Sequence, residues 1–369
     1  MTCRASISRR RIAVEAAFLF IASTTAVFAA GLLETIDQEV SAIYEKSRDT
    51  VVKVHAQRQL QIGNLPFSSS QRVGTGFFID KDGHILTAAT VVDDADSCWI
   101  EWHGQKINAR VIGRDPQTNV ALLKIEPADN SATPFLPQGD SDELRVGSMV
   151  VAIGFPYDLP SAPVVGFISG IDIRCGNHVF ATSHIRASCR LSPGQGGGPM
   201  LNVRGEVIGI AVAAHTDDQS YALPINAAHK ICADILQFGQ PQYTWVGLGV
   251  SERQLAINPT VSNQWQVFIQ QIYSNTPAAV AGFRDGDTLL SITSNEVHRS
   301  ADVLNTMFYH RIGDTVEFKV LRDGQEQKLL LVVATRPPQE TFGTQVTPQH
   351  GSPKPSGQWL TVVPASQER

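Results

Sequence analysis

From Thr50 to about Pro224 the chain is a succession of short runs rich in β-branched residues, each cut off by Gly, Pro, Asp or Asn. Val73-Gly74-Thr75-Gly76-Phe77-Phe78-Ile79 and Val150-Val151-Ala152-Ile153-Gly154 are two of them. Such a stretch reads as strands, because β-branched side chains lose rotamer freedom against a helical turn and the breaks recur too often for ordinary helices. The runs fall into two groups of similar size, residues 50–137 and 144–224, which predicts two barrels or sandwiches packed together. Residues 33–47 before them and 226–238 after them carry apolar residues at helical spacing and predict two short amphipathic helices. The first folded unit is therefore expected over residues 31–240 and is mostly β.

Gly239-Gln240-Pro241 breaks the second helix, and a smaller α+β unit is expected over residues 243–336. Residues 267–269 and 315–321 read as strands, the latter turning at Arg322-Asp323-Gly324-Gln325 into residues 328–333. Thr276-Pro277-Ala278-Ala279-Val280-Ala281-Gly282 has a cap, a first-position proline and a terminal glycine, the signature of a short helix. Another helix is expected from Ser300 to His310. Residues 337–369 are dominated by Pro, Gln, Ser, Thr and Gly and read as a disordered tail.

Composition narrows the function. A net charge of −5 supplies no basic stripe for nucleic acid, so polypeptide partners fit better. Residues 1–30 carry Arg4, Arg9, Arg10 and Arg11, then an apolar run from Ala16 to Ala30 with small residues at its end. This reads as a signal peptide and predicts an exported protein, the alternative being an uncleaved N-terminal anchor. No membrane span is expected after its removal, because no later segment is long and apolar enough. Cys98, Cys175, Cys189 and Cys232 would then meet an oxidising compartment. Cys175 and Cys189 flank two runs that read as paired strands and are the expected disulfide. A zinc site from these two with His178 and His184 is the sharper but disfavoured alternative, so neither metal nor cofactor is expected.

Three segments carry a more specific resemblance. Gly74-Thr75-Gly76-Phe77-Phe78-Ile79-Asp80 with Ile85-Leu86-Thr87-Ala88-Ala89-Thr90-Val91-Val92 comes first, then Asp115-Pro116-Gln117-Thr118-Asn119-Val120-Ala121-Leu122-Leu123-Lys124, then Pro193-Gly194-Gln195-Gly196-Gly197-Gly198-Pro199-Met200. In this order they resemble the histidine, aspartate and serine segments of HtrA (DegP-like) trypsin-fold serine proteases. The resemblance places Thr90 where the family has its histidine, Asn119 where it has its aspartate and Gly196 where it has its serine. Thr90 has no group titrating near neutrality, Asn119 carries no negative charge, and Gly196 offers no nucleophile. Ser188, Ser192, His84 and His184 are the only neighbours that could stand in, and their spacing does not match the family path. What the resemblance leaves is the former oxyanion loop, Gly194, Gln195 and Gly197, whose N–H groups would form a donor site. Ser220-Tyr221-Ala222-Leu223 resembles the family's substrate-pairing edge.

Residues 245–336 resemble a PDZ domain of the HtrA kind through Trp245-Val246-Gly247-Leu248-Gly249-Val250, Ser274 to Phe283, and Asp285-Gly286-Asp287-Thr288-Leu289-Leu290-Ser291-Ile292. The resemblance implies a peptide C-terminus added as a strand, held by Trp245, Val246, Gly247, Leu248 and Val250 with Leu304 and Met307 closing an apolar pocket. It also implies a homotrimer or assembly with an active relative. The sequence thus predicts a mostly β, two-barrel trypsin-like domain followed by a PDZ domain. The expected function is a non-enzymatic one, binding peptide C-termini or unfolded polypeptides in the periplasm or envelope as scaffold, holdase or modulator of active proteases. The competing reading is a serine-type endopeptidase of protein quality control with unconventional or residual activity.

Overall fold

The computed structural model describes residue 31 and residues 33–60, 68–126, 132–175, 178–216, 219–254 and 265–335. The expected signal peptide and C-terminal tail lie outside these residues. Helix α1 spans residues 33–47, and six strands follow: β1 (Val51–Leu60), β2 (Ser68–Phe78), β3 (His84–Ala88), β4 (Ser97–Trp102), β5 (Gln105–Asp115) and β6 (Val120–Ile125). They close into a barrel in the order β1-β2-β3-β6-β5-β4, with the one-turn helix α2 (Ala89–Val92) leaving the end of β3. The second barrel takes β7 (Met149–Gly154), β8 (Ala162–Cys175), β9 (His178–Ala187), β10 (Pro199–Leu201), β11 (Val207–Thr216) and β12 (Gln219–Pro224) in the order β10-β11-β12-β9-β8-β7.

The strand period of two decides which residues go where. Val52, Phe78, Ile85 and Leu123 fill the first barrel. Their neighbours Val51, Phe77, Leu86 and Leu122 point the other way, into a seam shared with Val151, Ile153 and Leu201 of the second barrel. Helix α3 (Ile225–Phe238) seals that seam with Ile225, Ile231 and Ile235, and Gly239 ends it at φ 76° with its N–H on the Ile235 carbonyl.

The second unit begins with β13 (Thr244–Trp245) and carries β14 (Leu248–Gln254), β15 (Trp265–Ile272), α4 (Pro277–Ala281), β16 (Thr288–Ile292), β17 (Asn295–Glu296), α5 (Ser300–Tyr309), β18 (Thr315–Arg322), β19 (Gln325–Val332) and β20 (Ala334–Thr335). β13 pairs with β20, and the main sheet runs β14-β15-β16-β18-β19 with β17 hydrogen-bonded to β16. Thr276 Oγ1 accepts the Ala279 N–H at the start of α4, Pro277 occupies its first turn, and Gly282 closes it at φ 82°.

Two expectations change on contact with this fold. Cys98, Cys175, Cys189 and Cys232 are all free thiols. Cys175 pairs with His178 at the tip of the β8–β9 hairpin, whereas Cys189 follows Ala187, which pairs with Ile168 near the base. Seven residues of strand at about 3.3 Å each leave roughly 20 Å between them, against about 7 Å for a disulfide. Burial also pushes the Cys189 thiol up to about 11, away from the reactive thiolate. Ser220–Leu223 is not an edge: β12 is flanked by β11 on one side and by β9 on the other. Phe308 of α5 is buried in the same apolar cluster as Ile231 and Ile235 of α3, which joins the second unit to the first.

Candidate functional site

Thr90, Asn119 and Gly196 are brought to one end of the seam between the barrels. Thr90 and Gly196 line a cavity of about 500 Å³ together with Arg72, Ser192, Gly194 and Val212. Asn119 lies just beneath, at φ 56°, a left-handed conformation that asparagine adopts more readily than most residues. Its backbone carbonyl accepts the Ala89 N–H (3.0 Å), its Oδ1 accepts the Thr90 N–H (2.9 Å), and its Nδ2 donates to the Val212 carbonyl (2.7 Å). One side chain thus caps the first turn of α2 and ties it to β11. Both amide atoms are matched, and a carboxylate here would set an oxygen against the Val212 carbonyl. Arg72 holds the other end of α2, donating from Nη1 to the Thr90 (3.0 Å) and Asp93 (2.7 Å) carbonyls.

The loop from Ser192 to Gly198 is held by its carbonyls. Those of Ser192, Pro193, Gly194, Gln195 and Gly196 accept, in turn, from Gln195 N–H, Tyr157 N–H, Thr75 Oγ1, Gly198 N–H and Thr75 N–H, at 2.7 to 3.1 Å. Gly197 N–H donates to the Ala211 carbonyl (2.7 Å), and Gln195 Oε1 accepts the Ser192 N–H (2.7 Å). With these five successive carbonyls turned into the protein, the N–H groups of Gly194 and Gly196 are left without an acceptor among the described residues, and both residues line the cavity. Glycine is required at 194 and 197: φ is 93° and 87°, and a Cβ would collide with the Phe155 carbonyl or the Thr75 carbonyl. Position 196 differs, because a Cβ there meets nothing within 4 Å.

The neighbours considered as replacements do not gather here, apart from Ser192. Ser188 Oγ accepts the Phe167 N–H (2.9 Å), and His84 Nδ1 sits 2.6 Å from Asp80 Oδ2 on the turn before β3. His184 is buried, its ring stacked on Phe180 and its Nδ1 2.9 Å from the Thr182 carbonyl. Among the described residues the cavity lining holds two hydroxyls, Thr90 and Ser192, one cation, Arg72, and no imidazole or carboxylate.

A second site opens on the smaller unit. β14 pairs only with β15, so its other edge is open. Gly247 precedes it at φ 78° against the Thr276 side chain, which a Cβ would displace. The Val246 and Gly247 carbonyls accept from Ala278 and Tyr273 N–H (3.0 Å each). Among the described residues no acceptor faces the N–H of either residue. Leu248 and Val250 pack with Val303 and Met307 of α5, as a groove between β14 and α5 requires. Leu304 does not join them and is 43% exposed, while Trp245 stands behind the loop with its ring 6.3 Å from that of Tyr273.

Sequence reasoning missed what joins the two sites. Asn305 of α5 accepts the Ser183 N–H (2.6 Å) and donates to Ser183 Oγ (2.6 Å), docking the groove helix on β9. Tyr243 donates to Asp115, whose carboxylate also receives the Thr118 hydroxyl beside Asn119. No local motif marks these contacts, since their partners lie more than 100 residues apart, as the separation of 122 between Ser183 and Asn305 illustrates.

A two-barrel body of this topology, followed by a sheet unit with an open carboxylate-type loop, defines a trypsin-fold, PDZ-bearing class of protein. Residues 74–210 match the trypsin-like peptidase domain family and residues 208–333 the PDZ domain family. A curated relative from Pseudomonas putida (strain GB-1), named a probable periplasmic serine endoprotease, DegP-like, is 30% identical over 276 residues, covering 73% of this chain and 57% of the relative. One of the same name from Halomonas elongata is 33% identical over 273 residues, covering 72% and 57%. The solved HtrA-type protease AlgW with decapeptide superposes with a TM-score of 0.66 at 24% identity, covering 81% of this chain and 99% of that one. The chain belongs to the HtrA family. It spans 57% of the length of those two curated relatives. The expectation of a non-enzyme is overturned by this comparison, since the relatives are named as serine endoproteases and the structural neighbour as a protease.

Proposed function

We propose that this chain is an extracytoplasmic endopeptidase of protein quality control that works by residual, unconventional catalysis. Its PDZ groove captures polypeptide C-termini, and its inter-barrel cavity hydrolyses the captured chain slowly. The observation that carries this reading is the pair of N–H groups at Gly194 and Gly196 with no acceptor among the described residues, held on a loop whose carbonyls from Ser192 to Gly196 are anchored. Two such donors aimed at a developing oxyanion stabilise the transition state without any titrating side chain. In serine proteases stripped of their triad, this arrangement with substrate binding still accelerates hydrolysis about 10³–10⁴-fold over water.

The residues at Thr90, Asn119 and Gly196 suit such a mode. With no side-chain nucleophile at 196, a water oxygen adds to the carbonyl carbon in the space a side chain would take, a water proton passes through solvent to the amide nitrogen, and the C–N bond breaks to release a carboxylic acid and an amine. No acyl-enzyme forms, so no second hydrolytic step is needed. Peptide binding is supported by the PDZ match, and a periplasmic setting by the names of the DegP-like relatives.

The test follows unfolded casein, and casein fused to a C-terminal peptide ending in valine, by mass spectrometry over days. Cleavage above the buffer rate is expected, faster for the fusion than for its C-terminally amidated form. Cleavage no faster than in buffer would refute the catalytic part, and equal rates for acid and amide would refute capture by the groove.

A further inference from the structure

The wall of the inter-barrel cavity holds one charge that the loop and α2 do not compensate. Arg72 is half-buried on β2 and lines the cavity, whose other polar side chains are the hydroxyls of Thr90 and Ser192. Its Nη1 donates to the Thr90 and Asp93 carbonyls (3.0 and 2.7 Å), which uses both Nη1 hydrogens and pins one corner of the guanidinium. The remaining edge, Nε and Nη2, has no acceptor among the described residues. That edge carries two parallel N–H donors, the fork that receives a carboxylate through both of its oxygens.

Among the described residues no carboxylate of the protein fills the fork. The three acidic residues that follow α2 are engaged elsewhere: Asp93 pairs with Arg114, Asp94 with Arg58 (3.3 Å), and Asp96 accepts the Gln59 N–H (2.6 Å). Arg186, Arg322 and Arg299 show the matched case. Arg186 holds Asp172 (2.6 Å), Arg322 holds Asp287 (2.6 Å), and Arg299, the N-cap residue of α5, bridges to Glu252 of β14 at the far end of the PDZ groove (2.8 Å). The carbonyls that pin Arg72 fix its position without cancelling its charge, so it presents a fixed cation to whatever enters the cavity.

Register puts this cation beside the amide donors. Arg72 and Gly74 lie on the same face of β2, and a Cβ at Gly74 would fall 3.2 Å from the Gly196 carbonyl, which also accepts the Thr75 N–H (2.9 Å). Two residues of strand, about 7 Å, separate Arg72 from that contact. An extended substrate whose carbonyl rests on the Gly194 and Gly196 N–H groups therefore comes within reach of Arg72 about two residues from that carbonyl. We infer that the cavity selects polypeptide segments carrying Asp or Glu within about two residues of the bond cut, the side-chain carboxylate seated on the Nε and Nη2 fork of Arg72. A terminus held in the PDZ groove is not available to the cavity, so the carboxylate comes from a side chain. Lys or Arg at the same place meets like charge. This inference rests on the cleavage proposed above.

The experiment moves a single Glu, one position at a time, along an otherwise alanine- and serine-rich peptide ending in valine, with Gln and Lys at the same positions for comparison. Mass spectrometry after incubation with the full-length chain reads both the bond cut and its rate. The cut is expected to follow the Glu and stay within about two residues of it. It should run about ten-fold faster than for Gln and slowest for Lys, the advantage of Glu shrinking as salt is raised. Arg72→Gln should bring the Glu and Gln peptides to equal rates, and Arg72→Lys, which keeps the charge without the fork, should retain part of the preference. If Arg72 only supported α2, Arg72→Gln would lower all rates together and leave the Glu-to-Gln ratio unchanged, and that result would overturn the assignment to Arg72. Cuts that ignore the position of the Glu in the unaltered chain would overturn the acidic preference alone. Cleavage no faster than in buffer for every peptide would overturn both it and the catalysis on which it rests.

Discussion

The inter-barrel cavity and the PDZ groove both suit an extended polypeptide, yet they are built differently. In the cavity the backbone is held with precision and the side chains contribute little: five loop carbonyls are anchored, two N–H groups find no acceptor among the described residues, and Thr90 and Gly196 line the space with Asn119 beneath them. In the groove, backbone and side chains act together, with a glycine-shaped loop, apolar walls and a charged bridge at the far end. The comparison teaches that a loop can be kept for its amides alone. Gly194 and Gly197 are dictated by close approach, and Gly196 is not, so the loop's path owes nothing to what projects from position 196.

The sharpest way to break this contrast is to restore side chains to the cavity. The triple change Thr90→His, Asn119→Asp and Gly196→Ser should raise casein hydrolysis by as much as about 10⁶-fold, since that is what a working triad adds. A gain under ten-fold would mean the loop is not in a productive path.

Next in size is the joint between the two regions. Phe308→Ala empties a place in the seam beneath α3 and should cost about 3–5 kcal/mol, read as a lower urea midpoint. A cost below 1 kcal/mol would show that the PDZ unit does not share the body's core. The loop itself can be sharpened by one pair of variants. Gly197→Ala, at φ 87° and against the Thr75 carbonyl, should lose about 3 kcal/mol, whereas Gly196→Ala should stay within about 0.5 kcal/mol. Equal losses would remove the distinction. Smallest among the expected losses, Asn119→Asp alone should destabilise by about 1–2 kcal/mol, because the lost Nδ2 donor leaves the Val212 carbonyl facing a carboxylate. Stabilisation by this change would contradict the reading of Asn119 as an amide-specific tie.

Much of this was legible in the chain before any coordinates. The alternation that sends Phe77 to the seam and Phe78 into the barrel is a period of two, and the ends of α4 are written in Thr276, Pro277 and Gly282. The three segments singled out in the sequence meet in space, with Thr90 and Gly196 lining one cavity and Asn119 accepting the Thr90 N–H, because short motifs hold their local backbone path. What failed depended on offsets between distant strands. Cys175 and Cys189 flank a hairpin whose register keeps them apart, and Ser220–Leu223 looks like an edge until β9 is seen beside it. Leu304 and Met307 have similar sequence credentials, yet Met307 is buried in the core of the unit while Leu304 is 43% exposed. Arg72, Asn305 and Arg299 act through partners remote in sequence, which a single chain read linearly does not reveal. The expectation of a non-enzyme rested on the side chains at Thr90, Asn119 and Gly196 alone, and the naming of the relatives as serine endoproteases overturned it.

The central claim is that backbone amides stabilise the transition state while water attacks. It is tested most directly by comparing peptide-bond hydrolysis in Gly196→Pro, which deletes one N–H donor, with Gly196→Ala, Thr90→Val and Ser192→Ala, each checked for intact folding. The account predicts that Gly196→Pro lowers the rate about 10²–10³-fold relative to Gly196→Ala, and that Thr90→Val and Ser192→Ala leave it unchanged. Loss of activity in Thr90→Val or Ser192→Ala, with Gly196→Pro still active, would contradict it and place the chemistry on a side-chain hydroxyl.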